Sequence, residues 1–345
     1  MDAYLEGTSV DEGIWNEIVA SAGGHIFQTF HWAEVLRKFG VEAIPLMVED
    51  RAVLMAYKIP MLTVRRIRTM YHTLQVLRGP VFKEDRFDRS ALEEIVSRVV
   101  RYARAERVLG LDLFPNVPSS DSESEKYLLK QGFRPVYNRH SFHTQTYVLD
   151  CSQSEEELMK RMEKRTRWSI RKAQRLGVKV RDGIDEKLLD SFFKVYSSTN
   201  PSPQPKGFFE IVNKILGERG LARIFLSEVD GQCAAGLLAL MFGSKIFYVW
   251  GGSNPTYKNY QPGVLLHWET IKWGRLHGYT YYDFHGALVE DVEKYGTDEK
   301  TANVTLFKRG FGGAFLKYMP QNRMVLLPLR YHLISLIRKA ICTIR

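Results

Sequence analysis

The sequence predicts an α/β protein of mixed sheets, built as two tandem domains. Helical and strand-like stretches alternate along the whole chain, the pattern of α/β architecture. Its 345 residues exceed the usual size of one domain. Asp150-Cys151-Ser152-Gln153-Ser154 reads as a junction between a first domain over 1–150 and a second over 151–320, with 321–345 packing back on the first. With 45% apolar and 12% aromatic residues the chain can fill sizeable cores, and little case for disorder remains.

In order, the chain opens with a helix around Ile14-Trp15-Ile18-Val19, a break at Gly23-Gly24, and a helix from Trp32 to Phe39. Ala43 to Val48 and Ala52 to Pro60 alternate like paired strands, and the basic run Arg65-Arg66-Ile67-Arg68 follows. Ser90 to Val108 is an amphipathic helix with Leu92, Ile95, Val96, Val99, Tyr102 and Ala103 on one side. Leu109 to Phe114 is a short strand carrying Asp112; Gly132 caps a further helix, and Phe142 to Leu149 is a strand assigned to the first domain.

Past the junction, Ser152 and Glu155 form a capping box for one long helix that reaches Leu176 and stops at Gly177. From Lys160 to Arg181 ten Lys or Arg stand against one acid, Glu163. Leu188 to Tyr196 is helical, Pro201-Ser202-Pro203-Gln204-Pro205 is a rigid loop, and Phe209 to Leu216 is helical again. Ala222 to Val229 and Gln232 to Met241 are strands joined at Asp230-Gly231. Strand Ile246 to Trp250 leads through a loop into helix Val264 to His277, with Leu265, Trp268 or Glu269, Ile271 or Lys272, and Leu276 on its buried face. Strand Tyr279 to Phe284 follows, Ala314 to Pro320 is a last strand, and Arg330 to Arg345 is a basic amphipathic tail.

The net charge of +10 favours a polyanionic partner: nucleic acid, phosphates or an anionic membrane. Cys151, Cys233 and Cys342 are widely spaced and odd in number, which suits a reducing cytosol rather than a disulfide or zinc scaffold. Met1 to Glu6 lacks a signal pattern, and the most apolar run, Cys233 to Gly243, is too short to span a bilayer. These features imply a cytoplasmic protein, at most peripheral at the inner face of the membrane. His140-x-x-His143 lacks the Glu of a helical zinc motif; neither a Gly-x-Ser-x-Gly elbow, a P-loop nor Gly-x-Gly-x-x-Gly occurs.

Tyr248-Val249-Trp250-Gly251-Gly252-Ser253, the Trp268-Glu269 helix, Tyr282-Asp283-Phe284-His285-Gly286 and Leu306-Phe307-Lys308-Arg309-Gly310-Phe311-Gly312 occur in that order. Together with Ser169-Ile170-Arg171-Lys172-Ala173 upstream, they resemble the FemABX peptidyltransferases. The resemblance implies two tandem domains of the GCN5-related N-acetyltransferase (GNAT) type, here in the compact form without a coiled-coil arm. It implies transfer of an amino acid from aminoacyl-tRNA to an amine of a peptidoglycan precursor, either UDP-MurNAc-peptide or a lipid-linked one.

On the same resemblance, Phe307 and Lys308 match a catalytic pair, and Lys308 is the candidate to stabilise the oxyanion of acyl transfer. Asp112 matches an acidic position that could orient or deprotonate the amine. Tyr248 and Trp250, two apart and so expected on one strand face, match channel-lining aromatics. Lys206 and Arg37 are candidates for the precursor's phosphates, and Arg167, Arg171, Lys172 and Arg175 for tRNA.

No cofactor is expected beyond the tRNA co-substrate. A CoA pyrophosphate loop needs consecutive N–H groups before a helix, whereas Tyr260-Gln261-Pro262-Gly263-Val264 has a proline in that run, which disfavours acetyl-CoA. Two rival readings stay open: an acyl-CoA-dependent N-acyltransferase on the same fold, and a non-catalytic RNA- or membrane-binding protein. The C-terminal helix either docks on the first domain or contacts an anionic membrane.

Overall fold

A computed structural model of the chain describes residues 10–61, 63–64, 67–68, 71–137, 144–290, 293 and 299–343. The sequence readings at Met1 to Glu6, Arg65, Arg66, His140 and His143 lie outside the described residues. The chain divides into two compact units, Met1–Thr144 with Lys317–Arg345, and Gln145–Leu316.

In the first unit α1 (Glu12–Ser21) and α2 (Phe30–Arg37) begin at side-chain caps, Asp11 accepting from Ile14 N and Thr29 from Trp32 N. Strands β1 (Glu42–Val48) and β2 (Ala52–Pro60) pair antiparallel, with Ile44 opposite Ala56. Strands β3 (Thr63–Val64) and β4 (Ile67–Arg68) pair antiparallel as a small separate sheet. The main sheet continues with β5 (His72–Leu77), β6 (Val81–Phe82), β7 (Gly110–Phe114) and β8 (Arg134–Val136). Capped by Asp88, α3 (Arg89–Ala105) lays Leu92, Ile95, Val96, Val99 and Ala103 into the core under this sheet. Buried Gln28 braces the sheet: its amide donates to Met55 O at 3.2 Å and Leu77 O at 2.7 Å and accepts from Met55 N at 2.8 Å. The last helix before the second unit, α4 (Ser122–Gln131), stops at Gly132 with φ 99°.

The second unit corrects several readings, three of them near its start. Strand β9 (Gln145–Asp150), assigned by sequence to the first domain, belongs to the second sheet, where Leu149 pairs with Tyr282. Alternation along a strand reveals that it is a strand, not which distant partner it meets. The long helix expected from Ser152 is two helices, α5 (Glu155–Arg161) and α6 (Lys164–Arg175), broken at Met162 and Glu163. The capping box is Ser154 with Glu157, while Ser152 bonds Asp150.

The remaining elements are β10 (Lys179–Gly183), α7 (Glu186–Thr199), α8 (Lys206–Val212), β11 (Ala222–Val229), β12 (Gln232–Phe242), β13 (Lys245–Ser253), α9 (Pro262–Leu276), β14 (Tyr281–Asp283), α10 (Glu299–Arg309) and β15 (Ala314–Lys317). Sheet order is β10-β11-β12-β13-β14-β9-β15. Every residue from Ala234 to Phe242 is buried, so both faces of β12 are covered. Helices α7 and α9 supply that cover, each packing on β11, β12 and β13. The face of α9 buries Leu265, Trp268 and Ile271, while Leu276 is 76% exposed, against the sequence reading. At 15 residues α9 is the longest described helix of this unit, and no coiled-coil arm is built.

The chain then returns to the first unit. Strand β16 (Gln321–Val325) inserts antiparallel between β7 and β8, and α11 (Pro328–Thr343) closes the described chain.

Candidate functional site

The second sheet opens where its two adjacent parallel strands part. Strands β13 and β14 pair only through Lys245–Tyr281, Ile246–Tyr282 and Phe247–Asp283. Beyond Phe247, β13 stays paired with β12, but a bulge between Leu238 and Ala239 leaves Val249 without an opposite residue. A bulge bends its strand and re-aims side chains, so Tyr248 and Trp250 do not share a face as expected. Tyr248 meets His267 of α9 at 4.5 Å between ring centroids, whereas Trp250 packs at 5.5 Å on Phe208 and Phe209 at α8. A crevice beyond the carboxyl ends of parallel strands is where open α/β sheets bind ligands.

Lys308 occupies this crevice. It sits in the last turn of α10 and is 4% exposed, not on a solvated glycine turn. Its ammonium donates to His285 O and, at 2.6 Å, to Gly286 O, and lies 5.3 Å from the centre of the Tyr248 ring. The two carbonyls converge because β14 ends in a left-handed turn, φ 46° at His285 and 70° at Gly286. Asp283 holds that turn: its carboxylate accepts from His285 N at 2.8 Å and from the Thr146 hydroxyl at 2.5 Å. Burial pulls the Lys308 pKa down to about 7, opposed by the nearby Asp283 charge. Among the described residues two acceptors engage two of the ammonium's three donors, leaving one for a further group.

The chamber around Lys308 is apolar and aromatic. His267, buried on α9, pairs its Nδ1 with the Tyr282 hydroxyl at 2.7 Å and touches Phe284, Phe307 and Phe311. Burial, and then the Lys308 charge, hold His267 down at about 3, so the ring is neutral at neutral pH. Tyr248 is half-buried as a residue, yet the protein packed about its phenol pushes it up to about 12. Phe307 also lines an open cavity of about 450 Å³ whose described walls include Glu299, Asn303 and Val304 of α10. Lys308, Phe307 and Tyr248 therefore come together; His267, Asp283 and Thr146 join them without having been singled out as site residues in the sequence.

The other candidates sit on other elements. Asp112 of β7 is in the first unit, its carboxylate taken by Gln321 Nε2 at 2.7 Å and by the two-pronged Arg323 guanidinium at 2.6 and 3.1 Å. Those bonds tie β16 to β7 and account for its burial without a substrate. Arg37 is exposed at the end of α2. Lys206 begins α8 and pairs with Asp190 at 2.7 Å and Glu210 at 3.3 Å. Arg171 and Arg175 project from α6 into solvent, Lys172 lies 4.9 Å from the Trp168 ring, and Arg167 donates to Met162 O across the helix break.

Comparisons with known proteins fit this geometry. Residues 18–204 match the model of the FemAB family, and residues 160–295 match that of the acetyltransferase (GNAT) domain. The chain is 21% identical to a lipid II:glycine glycyltransferase of Staphylococcus epidermidis, covering 91% of both chains. It is 28% identical to a UDP-N-acetylmuramoylpentapeptide-lysine N(6)-alanyltransferase of Weissella viridescens over 43% of this chain and 42% of that one. The crystal structure of FemX superposes with a TM-score of 0.76 at 19% identity, covering 95% of this chain and 99% of that one. With a matching family model over more than half its length and two mixed α/β units of the tandem GNAT fold, the chain belongs to the FemAB family.

Proposed function

We propose that this chain is an aminoacyltransferase that moves an amino acid from aminoacyl-tRNA to an amine of a peptidoglycan-precursor peptide. The observation that carries this reading is Lys308, a buried lysine at the opening of the parallel strands with one donor to spare and a pKa of about 7. The names of the curated relatives, a lipid II:glycine glycyltransferase and a UDP-N-acetylmuramoylpentapeptide-lysine N(6)-alanyltransferase, supply the substrate class.

In the proposed reaction the acceptor amine attacks the ester carbonyl carbon. A C–N bond forms as the π pair moves onto oxygen, and the remaining Lys308 N–H meets that oxyanion. Collapse breaks the bond to the ribose oxygen. The amine loses a proton and the ribose oxygen gains one; with its pKa near the working pH, Lys308 can give the second and recover the first. Phe307, Phe311 and the neutral His267 keep the chamber weakly polar, which strengthens the ammonium's interaction with developing charge. The exposed cations of α6, Arg171 and Arg175 among them, suit tRNA phosphates.

Incubating the purified chain with charged tRNA pools and either UDP-MurNAc-pentapeptide or its lipid-linked form tests the reading by mass spectrometry. The expected result is a mass increment of one or more amino acids on the precursor. Transfer from acetyl-CoA and never from tRNA would replace this donor with the thioester that the GNAT domain match also allows.

A further inference from the structure

The first unit ends in a helix with one apolar side turned outward. On α11, Leu329 is 89% exposed, Leu333 58%, Leu336 65% and Ile337 38%. Offsets of four, seven and eight residues from Leu329 put these side chains on a single stripe. The helix is nonetheless fixed in place: Ile334 is 6% exposed and packs with Met61 and Leu109, and Tyr331 lies beside Arg323. The stripe is therefore displayed by an anchored helix and is not the loose end of the chain.

We propose that α11 is a docking surface for an anionic lipid bilayer, with Leu329, Leu333, Leu336 and Ile337 entering the interfacial region. Charge selects this occupant. Arg330 is exposed beside the stripe, Arg338 is exposed half a turn round the same helix from Leu329, and from Pro328 to Arg345 the sequence has no Asp or Glu. An apolar stripe on a helix that carries cations and no carboxylate suits a helix lying in the plane of a negatively charged surface. Two copies paired through the stripe would bring their Arg330 side chains to the seam, with no carboxylate on the helix to meet them. The helix lies on the membrane and does not cross it: its 16 residues extend about 24 Å, and no described helix is long and apolar enough to span. One consequence rests on the aminoacyl-transfer reading: a chain held at the bilayer meets a lipid-linked acceptor in preference to a soluble one.

Co-sedimentation of the full chain with vesicles tests the surface without requiring activity. Vesicles of equal parts phosphatidylglycerol and phosphatidylcholine should bind the chain, and phosphatidylcholine alone should not. Leu333→Glu with Leu336→Glu, both exposed and expected to keep the native circular dichroism, should weaken partitioning about tenfold or more. Arg330→Glu with Arg338→Glu should abolish the preference for anionic lipid. The same leucine variant should transfer to soluble precursor at the unmodified rate. Equal sedimentation of the leucine variant, no binding by the unmodified chain, or a dimer in velocity sedimentation that the leucine changes dissolve would each overturn the proposal. Vesicle binding without aminoacyl transfer would support the docking surface while removing the reading of Lys308.

Discussion

At the scale of the residue, two carbonyls and a ring make Lys308 unlike a surface lysine. Replacing it with alanine removes the donor aimed at the oxyanion, and turnover should fall on the order of 100-fold with the fold intact. Its titration should also be visible in stability. The folded pKa of about 7 lies below the usual 10.5, so the unfolded chain binds more protons between those values. Stability should therefore rise with pH across that window, and the charge penalty is fully present below it. Thermal melts of the unmodified chain and Lys308→Met from pH 7 to 10 should show this rise in the former only; parallel curves would contradict the buried ammonium. The Phe307-Lys308 motif was visible in the sequence, but the burial of Lys308 was not. Helix α10 hides Thr305 and Lys308 while exposing Val304 and Leu306, an inverted pattern that hydrophobic periodicity cannot detect.

At the scale of the element, the bulge in β13 decides which aromatics belong to the site. Strict alternation placed Tyr248 and Trp250 together; the extra residue at Val249 parts them, and no propensity marks such a bulge in advance. Gly251 then permits Tyr248 its position, since a Cβ there would stand 2.7 Å from the ring and its hydroxyl. Gly251→Ala should push the ring off Lys308, costing about 1–3 kcal/mol of stability and lowering kcat more than Tyr248→Phe does. Equal kinetics for the two variants would deny the ring a positioning role. That the returning segment forms strand β16 was equally hidden, because its buried Gln321 and Asn322 are polar. Asp112 owes its burial to that strand. Asp112→Asn should lower stability by about 1–3 kcal/mol through the half-buried Arg323 pair and leave kcat within a few-fold. A large loss of turnover at unchanged melting temperature would return Asp112 to the chemistry.

At the scale of the whole molecule, the alternating helices and strands, the length and the ordered motifs were enough to read two tandem α/β domains. The return of 321–345 to the first domain was expected, but which sheet takes β9 and which strands β16 pairs with were not readable, since both depend on partners far along the chain. The charge of +10 is spread unevenly, with the cations of α6 exposed on one helix. Changing Arg171 and Arg175 to Ala should make the dependence of log affinity for tRNA on log salt shallower by roughly one to two; an unchanged slope in a filter-binding titration would move the tRNA contact elsewhere. The most direct measurement is single-turnover transfer from charged tRNA to precursor as a function of pH, for the unmodified chain and for Lys308→Ala. The expected result is a rate in the unmodified chain governed by one ionisation near 7, and a variant slower on the order of 100-fold with that ionisation gone. Transfer by the variant at the unmodified rate, with the same pH profile, would contradict it.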